Sequence, residues 1–315
     1  MNNKVTASQL AAWLLVASIG PLLGFAGRTS WLTALVAMLV CGVVAACAIT
    51  YGSIKLPRWV CAIQVLWLII FLAGIAAQSE TCWENPNALP VIGISLLLLS
   101  ASGAQYGAQK TARACVVLLW LIVPVFVLVL IAGAGNVHIE WVDNTLEIPD
   151  GRALAFGFLP CLVLFLPAEQ HRKPRFVIPI IGFIFVLATV WLNATMGSVA
   201  AQNASNGFYE YSKGVTLFGV AERFEAIIAC VLTGSWFALF TIILSAVHTL
   251  TERVMTGWGS RAVWAGALIA CVLMCNLHIS PNLLAFGNLI FWGLLPLLAL
   301  GIDTKKKEEK SEKDA

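Results

Sequence analysis

Long apolar runs recur along the whole of this 315-residue chain, with only short polar connections between them. Because a helix that crosses a bilayer needs about 20 mostly apolar residues, each run is a candidate transmembrane span. The chain is 60% hydrophobic and 11% charged, far more apolar than the core of a soluble domain requires. The sequence therefore predicts an all-α polytopic membrane protein with about ten transmembrane helices. The ten runs are residues 9–27, 31–51, 59–78, 91–109, 113–134, 153–168, 176–200, 221–248, 262–276 and 283–302.

The charges between the spans alternate in sign from one connection to the next. With the N-terminus inside, the inner connections hold most of the lysines and arginines, as cytoplasmic loops do. The outer connections are mainly acidic, and their basic residues are Arg28, Arg152, Lys213 and Arg223. Both termini are therefore predicted to be cytoplasmic, and residues 303–315 form a charged tail.

The longest early connection, residues 134–152, divides the spans into two groups of five. Because five is odd, the two groups enter the membrane in opposite senses, as the halves of transporters with inverted repeats do. We therefore expect one transmembrane domain over residues 1–302, with repeat one at 8–134 and repeat two at 152–302.

Glycine and proline interrupt the first span of each half. The first span contains Gly20, Pro21 and Gly24, and the sixth contains the stretch FGFLPC at residues 156–161. Proline removes a backbone donor and glycine tolerates unwound backbone, so both spans are predicted to be broken at mid-depth. Freed peptide groups are costly in lipid, so such breaks are expected to face a bound solute in a shared polar chamber. The alternative is a pair of simple kinks packed against neighbouring helices.

Polar side chains within the spans are few, and each is costly in lipid unless it is used. Gln64 lies in the third span, while Thr233 and Trp236 lie in the eighth. Packing through interhelical hydrogen bonds is the alternative to a binding role for each of them. Glu225 lies in the first turn of the eighth span, where the helix dipole favours a negative charge. It is a candidate proton or ion site, or a capping residue.

The sequence contains no motif typical of an enzyme. It has no nucleotide-binding loop, no catalytic-triad spacing and no zinc motif. Eight of the nine cysteines lie within the apolar runs, where cysteine packs as a small hydrophobic residue. We therefore expect no catalytic activity, no cofactor, no metal site and no nucleic-acid partner.

Two stretches give the chain a family resemblance. The start KVTASQLAAWLLVASIG and the segment FYEYSKGVTLFGVAERFEAIIACVLTGSWF resemble the endospore-germination permeases, the B subunits of spore germinant receptors. That family belongs to the amino acid, polyamine and organocation transporter superfamily. One departure concerns the sixth span, where family members often carry a glutamate after a glycine-aromatic pair. This chain instead has Gly157, Phe158 and Leu159.

The resemblance implies two inverted five-helix units with a solute site between spans one, three, six, eight and ten. It also implies a small amino-acid-like ligand, the inner spore membrane as location and other germinant-receptor subunits as partners. Carried over to this sequence, the ligand-binding residues would be Gly20, Pro21, Gly24, Gln64, Gly157, Phe158, Pro160, Thr233 and Trp236.

Three functions remain open at this point. The first is a germinant-sensing permease, and the second is a secondary transporter of amino acids or related solutes, coupled to protons or sodium. The third is a structural subunit without a ligand. The five spans around the expected site contain no buried basic residue, which argues against a strongly anionic solute.

Overall fold

The computed structural model describes residues 5–51, 56–80, 91–166, 174–215, 224–255, 257–274 and 279–299. Within these ranges the chain is almost entirely helical and forms no strand. The predicted tail, residues 303–315, lies outside the described residues. The α-helices are α1 (Ala7–Phe25), α2 (Trp31–Tyr51), α3 (Arg58–Glu80), α4 (Val91–Gln105), α5 (Ala108–Gly133), α6 (Gly151–Gly157), α7 (Val177–Met196), α8 (Ser198–Asn203), α9 (Gly207–Lys213), α10 (Phe224–Val254), α11 (Trp258–Met274) and α12 (Pro281–Asn288).

Seven of these helical segments are long and apolar enough to cross a membrane. Three shorter apolar segments accompany them, namely Ile92–Gln105, Gly151–Leu164 and Arg261–Met274. Each of the ten predicted runs overlaps one of these ten segments. Many large apolar side chains are exposed on their outer faces, including Trp120, which is 79% exposed on α5. Such a surface suits lipid rather than water, so the structure agrees with a membrane-embedded helical protein.

Helix α1 lies at the centre of the bundle. From Leu10 to Phe25 its residues are buried on all sides apart from half-buried Leu15, and it packs against α10, α5 and α7. The Trp13 indole donates a hydrogen bond of 3.1 Å to the Ala238 carbonyl of α10. Helix α10 also packs against α3 and α4, so α1 and α10 together form the core to which the other helices attach.

The predicted interruption of the first span is not observed. Helix α1 continues from Ala7 through Gly20, Pro21 and Gly24 to Phe25. Proline removes one rung of the helical ladder, but neighbouring helices and serine side chains can satisfy the freed groups within a membrane. The close packing of α10 on this part of α1 supplies such support. The breakers therefore leave the span helical.

The sixth span does change conformation at the predicted place. Helix α6 ends at Gly157, and after Phe158 the chain forms a 3-10 helix over Leu159–Leu164. Pro160 lies in the first turn of that 3-10 helix, where its missing N–H is tolerated. The last span changes in a related way, because α12 is followed by a π-helical segment, Leu289–Leu294. Departures of this kind from regular α-helix often mark functional sites.

Candidate functional site

Five aromatic side chains meet where α1, α3, α6, α10 and α12 with its π-helical continuation converge. Phe156, next to the end of α6, stacks on Phe25 of α1 with ring centroids 5.5 Å apart. It meets Phe71 of α3 at 6.4 Å and Trp236 of α10 at 6.0 Å, edge to face. Phe71 in turn meets Trp292 at 4.7 Å. These residues, called the aromatic cluster below, are at most 2% exposed and fill the middle of the bundle.

The break after α6 frees backbone carbonyls beside this cluster. The last four carbonyls of any helix lack an intrahelical partner. Here the Asn288 amide donates 2.9 Å to the Ala155 carbonyl, and the Cys41 thiol donates 3.7 Å to the Leu154 carbonyl. Two groups freed by the break are thus satisfied by side chains from α12 and α2.

A second set of polar contacts joins α3 to the last span. The Trp67 indole donates 2.9 Å to the Asn288 carbonyl oxygen, and the Gln64 amide nitrogen donates to the Phe291 carbonyl. The other Gln64 amide atom, Oε1, is buried and has no partner among the described residues. The same holds for the indole nitrogens of Trp236 and Trp292. Buried polar atoms are normally paired, so these three groups could take a ligand with both donors and acceptors.

The peptide groups of α1 near the predicted interruption are bound by α10. The Ser235 hydroxyl accepts a 2.5 Å hydrogen bond from the Gly20 N–H and donates one to the Val16 carbonyl. In a regular α-helix this N–H and this carbonyl would pair with each other. One rung of α1 is therefore bridged by a hydroxyl from another helix, and neither group faces an open chamber.

The predicted glycines face different neighbours. A Cβ atom on Gly20 would lie 2.8 Å from Ser235 on α10, while one on Gly157 would lie 2.8 Å from the Cys41 sulfur on α2. A Cβ atom on Gly24 would lie 3.4 Å from the Asn206 amide nitrogen at the start of α9. The expectation that the two interruptions share one chamber is thus not met, because close helix packing occupies the space at each glycine.

The remaining predicted residues are also distributed over several environments. Trp236 belongs to the aromatic cluster, and Phe158 and Pro160 are buried directly after α6. Half-buried Thr233 donates 2.8 Å to the Ala229 carbonyl of its own helix. Glu225 is half-buried in the first turn of α10. Gln64 and Trp236 thus lie near the convergence of the helices, while Phe156, the residue at its centre, was not among the predicted ligand-binding residues.

Three cavities lined by described residues lie away from this centre. One of about 390 Å³ is bounded by α4, α10 and α11 and includes Gln105, His248 and Arg261. A second is an open groove beside α8, and the third lies between α2 and α7. None of these three includes a predicted ligand-binding residue. Aromatic side chains thus fill the place where the sequence predicts a solute.

Two arginines that the sequence places on the outer side lie directly above the aromatic cluster. The guanidinium carbons of Arg28 and Arg152 lie 5.6 and 5.1 Å from the centre of the Phe25 ring. Arg28 also donates 2.9 Å to the Ser205 carbonyl. Burial raises the pKa of the Asp150 carboxyl, while the nearby charge of Arg28 opposes that shift. The sequence analysis did not select these two arginines as site residues, although they were visible as two of the few basic residues in mainly acidic connections.

No protein-family model matches the sequence, and neither does any curated protein. The features that bear on function are therefore the aromatic cluster, the break after α6 and the arginines above them.

Proposed function

We propose that this protein is a permease-like membrane subunit that binds a small amino-acid-like nutrient at the aromatic cluster and triggers spore germination. The observation that carries the proposal is the break after α6, which lies beside Phe156 among α1, α3, α10 and α12. Broken helices at the centre of a bundle are the usual solute sites of permeases. The germination role itself rests on the sequence resemblance described above.

The helix contacts support an architecture of ten spans in two inverted five-helix units. In that scheme the helices correspond in chain order: α1 to the sixth span, α2 to α7, α3 to α10, α4 to α11 and α5 to α12. Helix α1 packs on α5 as α6 packs on α12, and α4 packs on α10 as α11 packs on α3. Likewise, α1 packs on α7 as α6 packs on α2, and α3 packs on α4 as α10 packs on α11. The extensive α1–α10 contact has only a smaller counterpart, in which Phe71 of α3 meets Phe156.

The aromatic cluster gives the proposed ligand a way to change the conformation. A ligand that enters between α1 and α6 has to displace Phe156 and compete for the carbonyls that Asn288 and Cys41 now hold. The ligand then binds only the open state, because in the closed state the rings of the aromatic cluster fill the site. Each tenfold preference for the open state shifts the equilibrium by about 1.4 kcal/mol.

We place the protein in the cytoplasmic or inner spore membrane of a bacterium, with both termini in the cytoplasm. Its proposed partners are the lipid bilayer and other germinant-receptor subunits. A sensing subunit needs such partners because it has to pass its conformational change to proteins that act in germination.

A binding experiment tests the proposal. Full-length protein in phosphatidylcholine nanodiscs is titrated with individual L-amino acids while its thermal unfolding is followed. Saturable stabilisation is expected for at least one of them, and Gly24→Leu is expected to abolish it, because the longer side chain would displace Asn206 next to α1. Gly266→Leu on α11 is the control, since a Cβ atom there meets nothing within 4 Å.

Uptake by proteoliposomes separates sensing from transport. Binding without flux supports the sensing subunit, whereas accumulation driven by a proton or sodium gradient supports a secondary transporter, the alternative function. Glu225 is the candidate coupling residue in that case, and Glu225→Gln would then abolish the gradient dependence. Failure of every amino acid to bind saturably would favour a structural subunit and contradict the proposal.

A further inference from the structure

The outer arginines form a second polar feature that the proposed central site does not use. Arg28 and Arg152 are far apart in the sequence, since Arg28 follows α1 and Arg152 lies in the first turn of α6. Both guanidinium groups nevertheless lie over the Phe25 ring. Phe25 is 2% exposed and stacks on Phe156 below it. A group bound between the arginines would therefore sit at the outer entrance to the aromatic cluster.

The two arginines differ in what they contact. Arg28 is held by the Ser205 carbonyl and by the charge of Asp150. Within the part of the chain that the structure describes, the Arg152 guanidinium has no carboxylate partner, and its Nε atom is buried without an acceptor. A partly buried cation without a counter-charge is costly, so Arg152 is a group whose partner is missing.

Charge and surroundings indicate the chemistry of that partner. Asp150 lies near the charge of Arg28, whereas the charge of Arg152 has no counterpart among the carboxylates that the structure describes. Among the described outer acids, Glu210 pairs with Lys213 at 3.2 Å and Asp143 accepts from the Thr145 N–H. Guanidinium groups bind carboxylates through two parallel hydrogen bonds.

The apolar floor of the site restricts the ligand further. Below the guanidinium groups lie the stacked rings of Phe25 and Phe156, which favour an apolar body attached to the carboxylate. Two residues adjacent in sequence to Arg28 and to its partner Ser205 also have a buried polar atom without a partner among the described residues: Oγ1 of the 4% exposed Thr29 and Nδ2 of the fully buried Asn206. Because α6 packs among α1, α2 and α12, Arg152 is directed into the bundle and not toward lipid headgroups.

We propose that Arg28 and Arg152 form an outer binding site for the carboxylate of a small apolar amino acid or carboxylic acid. The site captures the ligand above Phe25 before the aromatic cluster opens. It revises the sequence-based argument against an anionic group, which considered only residues within the spans. This inference deepens the proposed function, because it names the ligand group that the same entrance recognises.

Matched pairs of acids and amides test the inference in the nanodisc system. The probes are L-leucine, L-phenylalanine and phenylacetate, compared with L-leucinamide and L-phenylalaninamide. Saturable thermal stabilisation is expected from the acids and not from the amides. Arg152→Gln is expected to weaken acid binding by about 10- to 100-fold, since a charge-assisted hydrogen bond contributes about 1.5–3 kcal/mol. The control is Lys213→Gln, which removes an outer cation that is already paired with Glu210.

A ligand-free measurement separates a binding role of Arg152 from a structural one. If the Arg152 guanidinium serves to bind a ligand and not to stabilise the fold, Arg152→Gln leaves the thermal stability of the ligand-free protein unchanged or raises it. A lower stability of the free variant, with acid binding intact, would overturn the inference. Equal binding of acids and amides would also overturn it, while leaving the proposed solute-binding function in place. Failure of all five probes to bind the natural protein would overturn the inference, whereas the proposed function is contradicted only if every amino acid fails to bind.

Discussion

Ser235 shows how one hydroxyl determines the outcome of a glycine-proline sequence. Its oxygen lies between the Val16 carbonyl and the Gly20 N–H, and its Cβ atom leaves no room for a side chain at residue 20. Glycine is therefore needed at this position for close approach of two helices and not for unwound backbone. The same close approach explains why α1 stays helical up to Phe25.

Gly20→Ala is expected to destabilise the protein by about 1–3 kcal/mol, as overpacking of a tight core usually does. The new methyl group would lie 2.8 Å from both Ser235 Cβ and Ser235 Oγ. The midpoint of SDS-induced unfolding measures the effect. Gly24→Ala is the matched control, because its methyl group would lie at an ordinary 3.4 Å from Asn206. Addition of Ser235→Gly should restore part of the loss in Gly20→Ala, and equal effects of the two alanine variants would contradict this account.

The raised pKa of the Asp150 carboxyl makes the stability of the fold depend on pH. Its folded-state pKa is raised by burial and only partly lowered again by Arg28, so its ionised form is disfavoured in the folded protein. The stability that the protonated form provides is complete below the usual carboxyl pKa and is lost as the pH rises through the raised value. Asp150→Asn should therefore be at least as stable as the natural protein at neutral pH, with an advantage that shrinks on acidification. Asparagine also keeps the capping bond from the Arg152 N–H.

Thermal unfolding of both proteins across the acidic to neutral range measures this difference. A variant that is less stable at neutral pH would mean that attraction to Arg28 outweighs the burial of Asp150.

At the scale of helices, Asn288 holds the break after α6 in place. It donates to the Ala155 carbonyl and accepts from the Trp67 indole, each at 2.9 Å, and it is fully buried. Asn288→Leu would leave a carbonyl and an indole N–H unpaired inside the bundle. Because each of the two lost partners costs about 1–3 kcal/mol, we expect the free energy of unfolding in SDS to fall by about 2–6 kcal/mol.

Asn203→Leu is the matched control for this variant. The Asn203 amide donates 2.9 Å to the Val199 carbonyl, but the residue is exposed, so water can replace the bond. We expect a change within about 0.5 kcal/mol there, as for most surface positions. A similar effect of the two substitutions would show that Asn288 does not support the break.

The first and sixth spans show what the sequence can and cannot predict about an element. Both contain glycine and proline near their middle, and the same reasoning predicts a break in each. In the sixth span the chain does leave the α-helix after Gly157, whereas in α1 it does not at Gly20 or Pro21. The difference depends on Ser235, which lies far along the chain on α10 and which no local pattern connects to Gly20.

At the scale of the whole molecule, hydropathy was sufficient to place the helices. Each of the ten apolar runs coincides with a helical segment, because a bilayer requires stretches of a certain length and composition. Hydropathy did not single out the central helix, because the segment Pro281–Ala299 is nearly as weakly apolar as α1 although much less of it is buried. The central position of α1, the aromatic cluster and the paired arginines all depend on contacts between distant residues.

Labelling of introduced cysteines tests the proposed ten-span topology. The short sixth span is the critical element, because its described helical part, Gly151–Leu164, is shorter than a usual span. If this span crosses the membrane, Glu140 before it faces outside and Arg175 after it faces the cytoplasm; both residues are exposed. In cells, a membrane-impermeant maleimide should therefore label Glu140→Cys directly but label Arg175→Cys only after permeabilisation. The background variant carries Cys82→Ser and Cys230→Ser.

The neighbouring spans provide the controls for this pair. Arg113→Cys and Val199→Cys, at exposed positions near the ends of α5 and α7, should react from the cytoplasm and from outside, respectively. Together the four positions require α5, the sixth span and α7 each to cross the bilayer once. Direct labelling of Arg175→Cys in intact cells would mean that the sixth span enters and leaves on the same side. The two halves would then not be inverted, and the proposed permease architecture would be wrong.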